Sequence, residues 1–208
     1  MTATILGSWP DGSEQWHAAR EGRVGGSEVG AICGWSPWES RAQLLHRKAG
    51  LLAPRPQTSA MQRGHLLEPA ILAFLVDKHG LAIDAEASAA TYAHPEHDRW
   101  LYNPDAIAGE ALLEAKSTSQ RSEDDGWGRA GTDKVPLPHA AQTTWGMGIL
   151  GLDVCHLGVL SGAGNDGRPN LAFASYTLRF NQRAFDYIAA EVDRFLADLD
   201  ALTEKRAA

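Results

Sequence analysis

The segment YNPDAIAGEALLEAK, residues 102–116, constrains this chain more than any other stretch. ALLEAK reads as a strand, so side-chain alternation puts Glu114 and Lys116 on one face and Leu113 and Ala115 on the other. Pro104 favours an extended or turn conformation at Asn103, which lets the chain bend before a strand pair continues through Gly109. Asp105 then joins Glu114 and Lys116. Two converging carboxylates suit Mg²⁺ or Mn²⁺, hard cations that keep several waters and accept phosphate oxygens in their open positions. The chemistry implied is phosphodiester hydrolysis, with Lys116 orienting or helping to deprotonate the attacking water and offsetting charge in the transition state. A charged stripe on the wet face of an antiparallel strand gives the same pattern, since Glu-x-Lys alone is common.

Other segments carry readings of their own. Glu68 precedes Pro69 in the helical run SAMQRGHLLEPAILAFLVDKHG, where a kink is expected. Leu66, Leu67, Ile71, Leu72, Phe74 and Leu75 would bury that helix on a sheet, leaving Glu68 on the polar rim or aimed inward at a site. Gln142 lies in a second helical segment, and its amide can donate to a phosphate oxygen or a water without a change of charge. Arg20 and Ser27 flank the Gly-rich turn GRVGGS, which opens a short helix whose first amides suit an anion. Ser27 is equally a good N-cap for that helix. Trp16, Trp35 and Trp38 read first as packing residues, although one of them could separate strands at a duplex end.

Four blocks in order resemble a known family: Trp16, Arg20 and Ser27 with EVGAICGWSPW, then RGHLLEP, the Asp105/Glu114/Lys116 block, and PHAAQTTWGMGILG. Together they are similar to the PD-(D/E)XK nucleases, and within them to the YqaJ-type viral recombinases that include the lambda-type alkaline exonucleases. The resemblance covers most of the chain and implies an α/β fold with a central mixed β-sheet flanked by helices. It implies catalytic roles for Glu68, Asp105, Glu114, Lys116 and Gln142. Metal would be held by Asp105, Glu114 and the Ala115 carbonyl, and Arg20 and Ser27 would bind the 5′-phosphate of DNA. His139 stands where a tyrosine is usual in the family's aromatic-x2-Gln pattern. The implied activity is a Mg²⁺-dependent 5′→3′ exonuclease on double-stranded DNA ends, leaving a 3′ strand for a single-strand annealing protein. The family also implies a trimeric ring. An endonuclease on the same fold and a non-catalytic DNA-end-binding module are the alternatives, because fold alone does not fix function.

A length of 208 residues with 44% apolar content fits one domain spanning 1–208. No apolar run is long enough to span a bilayer and no signal core follows the N-terminus, so a cytoplasmic protein is expected; the resemblance implies one encoded by a phage or prophage. Cys33 and Cys155 are too few for a disulfide framework or a four-cysteine cluster. His94 and His97, in a polar loop, read as exposed rather than zinc-binding. The net charge of −7 is unusual for a DNA-binding chain, since affinity for DNA comes mainly from Lys and Arg on phosphates. Arg41, His46, Arg47, Lys48, Arg55 and Arg63 cluster in the first third and would form a basic rim. The expected topology is N-terminal helices, a helix over Ser59 to His79, and strands at Ala82 to Tyr92, Arg99 to Tyr102 and Ala111 to Lys116. A loop over Ser117 to Val135, long enough to be mobile and close over substrate, leads to a helix from Pro138 to Leu150. Strands at Val154 to Leu160 and Leu171 to Leu178, joined by a Gly-rich hairpin, precede a final helix capped by Asn181.

Overall fold

The computed structural model describes residues 3–119, 121, 123–162 and 171–207. Two sheets organise it. The first is antiparallel, ordered β1 (Thr4–Gly7), β2 (Thr91–Ala93) and β3 (Leu101–Tyr102). The second runs β4 (Ala106–Ala108), β5 (Ala111–Thr118), β6 (Val154–Ser161) and β7 (Ala172–Arg179), with β5 and β6 parallel and the other pairs antiparallel. A parallel pair needs a crossover, and here it is helix α6 (Leu137–Leu150).

The remaining helices are α1 (Glu14–Arg20), α2 (Gly26–Ile32), α3 (Arg41–Lys48), α4 (Ser59–His79), α5 (Ala85–Ser88) and α7 (Gln182–Ala207). Local chemistry fixes their ends. Thr58 accepts from the Met61 amide to start α4, Gly80 closes it at φ 63°, and Gly151 closes α6 at φ 70°, a conformation glycine adopts without strain. Asn181 accepts from the Ala184 amide at 3.0 Å, as expected of the final cap. Phe185, Ile188, Val192, Phe195 and Leu199 of α7 are buried in the core with Trp145 and Met147 of α6, each contributing ~1.5–3 kcal/mol by area.

Several expectations are corrected. β1 precedes the N-terminal helices, and 82–92 is not one strand but α5 followed by β2, because Asp84 caps a helical turn at the Ala87 amide. α4 spans Ser59–His79 as expected, with Pro69 inside it, but Leu66 is 81% exposed instead of packing on the sheet. The described part of the 119–135 loop is anchored by buried Trp127 and Val135. The Gly-rich hairpin lies largely in 163–170, outside the described residues. Among the described residues no helix is long and apolar enough to cross a membrane.

The two faces of the second sheet differ. Leu113 packs with Leu75 of α4, and Ser117 faces Gly64 of the same helix, so odd-numbered β5 side chains look toward α4. Leu112 joins the core on the α6 side, and the even-numbered Glu114 and Lys116 follow it. β4 is short and pairs only as far as Leu113. From Glu114 onward, the β5 edge that β4 would occupy is open to side chains.

Candidate active site

Glu114 is wholly buried, and a carboxylate placed there needs donors to offset its lost hydration. Three supply them. Tyr102 donates its phenol to Oε2 at 2.6 Å, while Lys116 at 2.5 Å and Gln142 at 2.6 Å both donate to Oε1. The contacts come from β3, β5 and α6, so the site depends on the tertiary fold rather than on one segment. Burial, then the Glu114 charge, pushes the Tyr102 phenol well above its ordinary range, which keeps it a neutral donor. Burial opposes the Lys116 charge, but Glu114 and Asp105 outweigh it and raise the ammonium pKa, so Lys116 is a cation.

Asp105 sits at the bend between the two sheets, and its Oδ2 accepts from the Ala115 amide at 2.7 Å. That bond reveals the orientation of the strand. In an extended strand the N–H and C=O of one residue point the same way, so the Ala115 carbonyl also faces the open edge. Asp105 is driven well above the usual carboxylate range by burial first and by Glu114 second, with Lys116 and the Ala115 amide opposing. Two carboxyls held together with one ammonium leave excess negative charge that a divalent cation would relieve. The donor set of Asp105, Glu114 and the Ala115 carbonyl is all oxygen and therefore fits a hard divalent metal.

Glu68 on α4 is half-buried and raised by burial; His65 opposes that shift, Asp11 and Glu114 add to it, and Lys116 opposes it. Its charge acts on Asp105 as well, although among the described residues no three Asp, Glu, His or Cys side chains are gathered as a metal-binding group. Lys116 and Gln142 draw Glu114 toward α6, whereas α4 lies on the opposite face of β5.

Arg20 ends α1 and reaches the Gly25 cap of α2, and Ser27 lies in the first turn of that helix. The Arg20 guanidinium lies 4.4 Å over Trp16, donates to Asn103 Oδ1 at 3.0 Å and fills the space a side chain at Gly25 would need. Asn103 in turn donates to Thr91 Oγ1 at 2.7 Å. Ser27 is exposed in the first turn, but it is not the cap. Gly25 is the N-cap, and its amide donates to Glu28 Oε2 at 2.8 Å. The basic rim is also weaker than expected, because Arg41, Arg47 and Lys48 pair with Asp198, Glu39 and Glu28.

Sequence reasoning missed Tyr102 and Asn103, although both lie in the segment it valued most. Their partners Glu114 and Arg20 are set by strand register and helix docking, which no local pattern encodes. His139 is wedged between Trp38 at 5.9 Å and Trp127 at 5.4 Å. Burial, with Lys116 nearby, pushes its imidazole down to about 3.

A βαβ crossover, an acid-rich open strand edge and a following lysine define the PD-(D/E)XK class of α/β folds. The structure is similar to an alkaline exonuclease, LHK-Exo, from Laribacter hongkongensis, with TM-score 0.72 at 22% identity over 94% of this chain and 96% of that one. LHK-Exo in complex with dAMP gives the same TM-score over 93% and 95%. A phage related exonuclease from Haemophilus somnus 129PT gives 0.64 at 10% identity over 88% and 96%. These likenesses bear on the fold. Residues 15–153, more than half of the chain, match the YqaJ-like viral recombinase domain, and the chain belongs to that family. The uncharacterized protein YqaJ of Bacillus subtilis (strain 168) is 28% identical over 141 residues, which cover 66% of this chain but only 42% of that relative.

Proposed function

We propose that the chain is a Mg²⁺-dependent deoxyribonuclease that degrades double-stranded DNA from its ends in the 5′→3′ direction, leaving a 3′ strand for a separate annealing protein. The observation that carries this reading is the buried Glu114 gripped by Lys116 and Gln142 beside Asp105 on an open strand edge. Asp105, Glu114 and the Ala115 carbonyl are the groups that would hold the metal. When bound, it would polarise the phosphate and lower the pKa of a water. Lys116, a cation beside that edge, orients the attacking water and offsets charge on the phosphorane-like oxygens. Gln142 keeps Glu114 and Lys116 in register, and Glu68 adds negative potential from α4.

Arg20 supports the choice of an end-directed enzyme. Its guanidinium is fixed between Trp16 and Asn103, an arrangement suited to a terminal 5′-phosphate, and exposed Ser27 in the first turn of α2 would add a hydroxyl donor. A ring of three copies enclosing DNA would compensate for the net charge of −7, since encirclement retains DNA without high affinity per subunit.

The test is digestion of linear duplex bearing 5′-phosphate or 5′-hydroxyl ends, beside closed circular DNA, with Mg²⁺ or EDTA. Mg²⁺-dependent loss of the phosphorylated linear duplex with circles intact is the expected result. Cleaved circles would indicate an endonuclease, and no digestion would leave an end-binding module.

A further inference from the structure

The loop after α2 is held firmly although it lies at the surface. Gly30 O accepts from the Trp35 and Ser36 amides at 2.8 and 3.0 Å, and Ser36 Oγ accepts from the Trp38 amide at 3.2 Å. Gly30 is packed so closely on Pro138 that an added Cβ would stand 3.1 Å from the proline Cβ, which locks this loop to the start of α6. On that rigid support Trp38 is 58% exposed, and Leu137, the first residue of α6, is 60% exposed. A tryptophan serving only the core would be buried.

Trp38 is also the outer rung of an aromatic ladder. Its ring lies 5.9 Å from His139, His139 lies 5.4 Å from Trp127, and Trp127 lies 5.3 Å from Tyr176, with tilts of 36°, 37° and 40°. The inner end is anchored, since Tyr176 stands in register with Leu157 and Glu114 across the sheet. Trp127 and Tyr176 are buried, so Trp38 is the rung that presents an open aromatic surface. The ladder runs beside the site: His139 is three residues before Gln142, which places their Cβ atoms about 5–6 Å apart on one helix face. Adding the 5.9 Å from Trp38 to His139, the ring lies at most about 12 Å from Gln142, a little over three nucleotide steps at ~3.4 Å per step.

We propose that Trp38 is a stacking platform for an unpaired nucleobase of the strand held at the active site. It rests on the nuclease reading above and deepens it by assigning a base subsite. Stacking on an indole is tolerant of sequence, because every base has a π-face, and a preformed ring adds little ordering cost.

The experiment measures binding of end-labelled duplexes in EDTA, so that catalysis does not enter. Each duplex carries one abasic nucleotide at the first, second or third position of the degraded strand. Wild type, Trp38→Ala and Trp38→Phe are compared. Trp38→Ala is expected to weaken binding of the intact duplex about tenfold, and Trp38→Phe much less. At one position the abasic nucleotide should cost wild type a similar factor and cost Trp38→Ala nothing further. Wild-type affinity in Trp38→Ala, or equal abasic penalties in both proteins at all three positions, overturns the platform. Parallel digestion with Mg²⁺ separates the two readings. Active wild type without this coupling defeats the platform alone, while wild type that neither binds nor digests DNA defeats both.

Discussion

Arg20 donates from Nη1 to Asn103 Oδ1 at 3.0 Å, and Asn103 lies two residues before Asp105, so the proposed phosphate clamp and the proposed metal site share one short stretch of backbone. Thr91 fixes the other side of the Asn103 amide. Removing that amide leaves the guanidinium charged but free to swing. Asn103→Ala should therefore reduce the preference for 5′-phosphate over 5′-hydroxyl ends by about tenfold, the scale of one hydrogen bond to a charged group. Arg20→Ala should abolish the preference. Initial digestion rates on the two ends measure it, and an unchanged ratio in Asn103→Ala would show that Trp16 alone orients Arg20.

The crowding of Asp105 and Glu114 gives a metal prediction that needs no turnover. Cations that bind only the folded state stabilise it, and at a hundred times Kd the gain is ~2.7 kcal/mol, or on the order of 5–10 °C in Tm for a chain of this size. Mg²⁺ should raise the melting temperature of wild type, and Asp105→Asn should lose most of that rise. The same substitution, and Lys116→Ala, should lower the turnover of phosphorylated duplex by at least ~10²-fold. An Asp105→Asn protein that retains the full Mg²⁺ shift would place the metal elsewhere.

How much of this was legible in sequence depended on the range of the interaction. Alternation in ALLEAK gave the shared face of Glu114 and Lys116, and helical periodicity with local caps gave the bounds of α4 and the start of α7. β4 and α5 are too short to show a period and exist because neighbouring elements hold them. Ser27 was read as a cap because several residues of GRVGGS could serve, and only the Glu28 contact to Gly25 selects among them. Lys48 completes that selection by pairing with Glu28 across 3.0 Å. Tyr102 was passed over because its role requires two separate sheets to meet at Glu114.

Gly146 tests that meeting point. It lies in the interior of α6, where alanine is normally favoured over glycine by roughly 0.5–1 kcal/mol. A Cβ there would press into the Tyr102 ring, which is buried and tied to Glu114 by its hydroxyl. Overpacking costs ~1–3 kcal/mol, so the sign should reverse and Gly146→Ala should melt below wild type. Tyr102→Phe should also destabilise, by ~1–3 kcal/mol, since it strips a donor from a buried carboxylate. Thermal melts of both variants check the pair, and a Gly146→Ala protein more stable than wild type would mean the Tyr102 ring is free to move.

The last prediction concerns a pair away from the active site. His79 at the end of α4 and His156 on β6 stack with ring centres 3.8 Å apart, His79 Nε2 meeting Ser175 Oγ at 2.8 Å and His156 Nδ1 meeting Thr177 Oγ1 at 3.0 Å. Burial, then Lys78, lowers His79, while burial, then His79 and Arg179, pushes His156 down to about 4. In the unfolded chain both protonate near 6.5, so below that pH the unfolded state binds more protons than the folded one. The pair's contribution is therefore intact above about pH 6.5 and lost as pH falls toward 4. The slope stays under ~1.4 kcal/mol per pH unit for each extra proton, and solvent at the rim of the pair reduces it further. Melting temperature followed from pH 7 to 4 should fall more steeply for wild type than for His156→Gln, which cannot take up the proton. Taking the difference between the two proteins removes the carboxylates from the comparison, and parallel curves would show that the stacked pair accepts its charge without strain on α4.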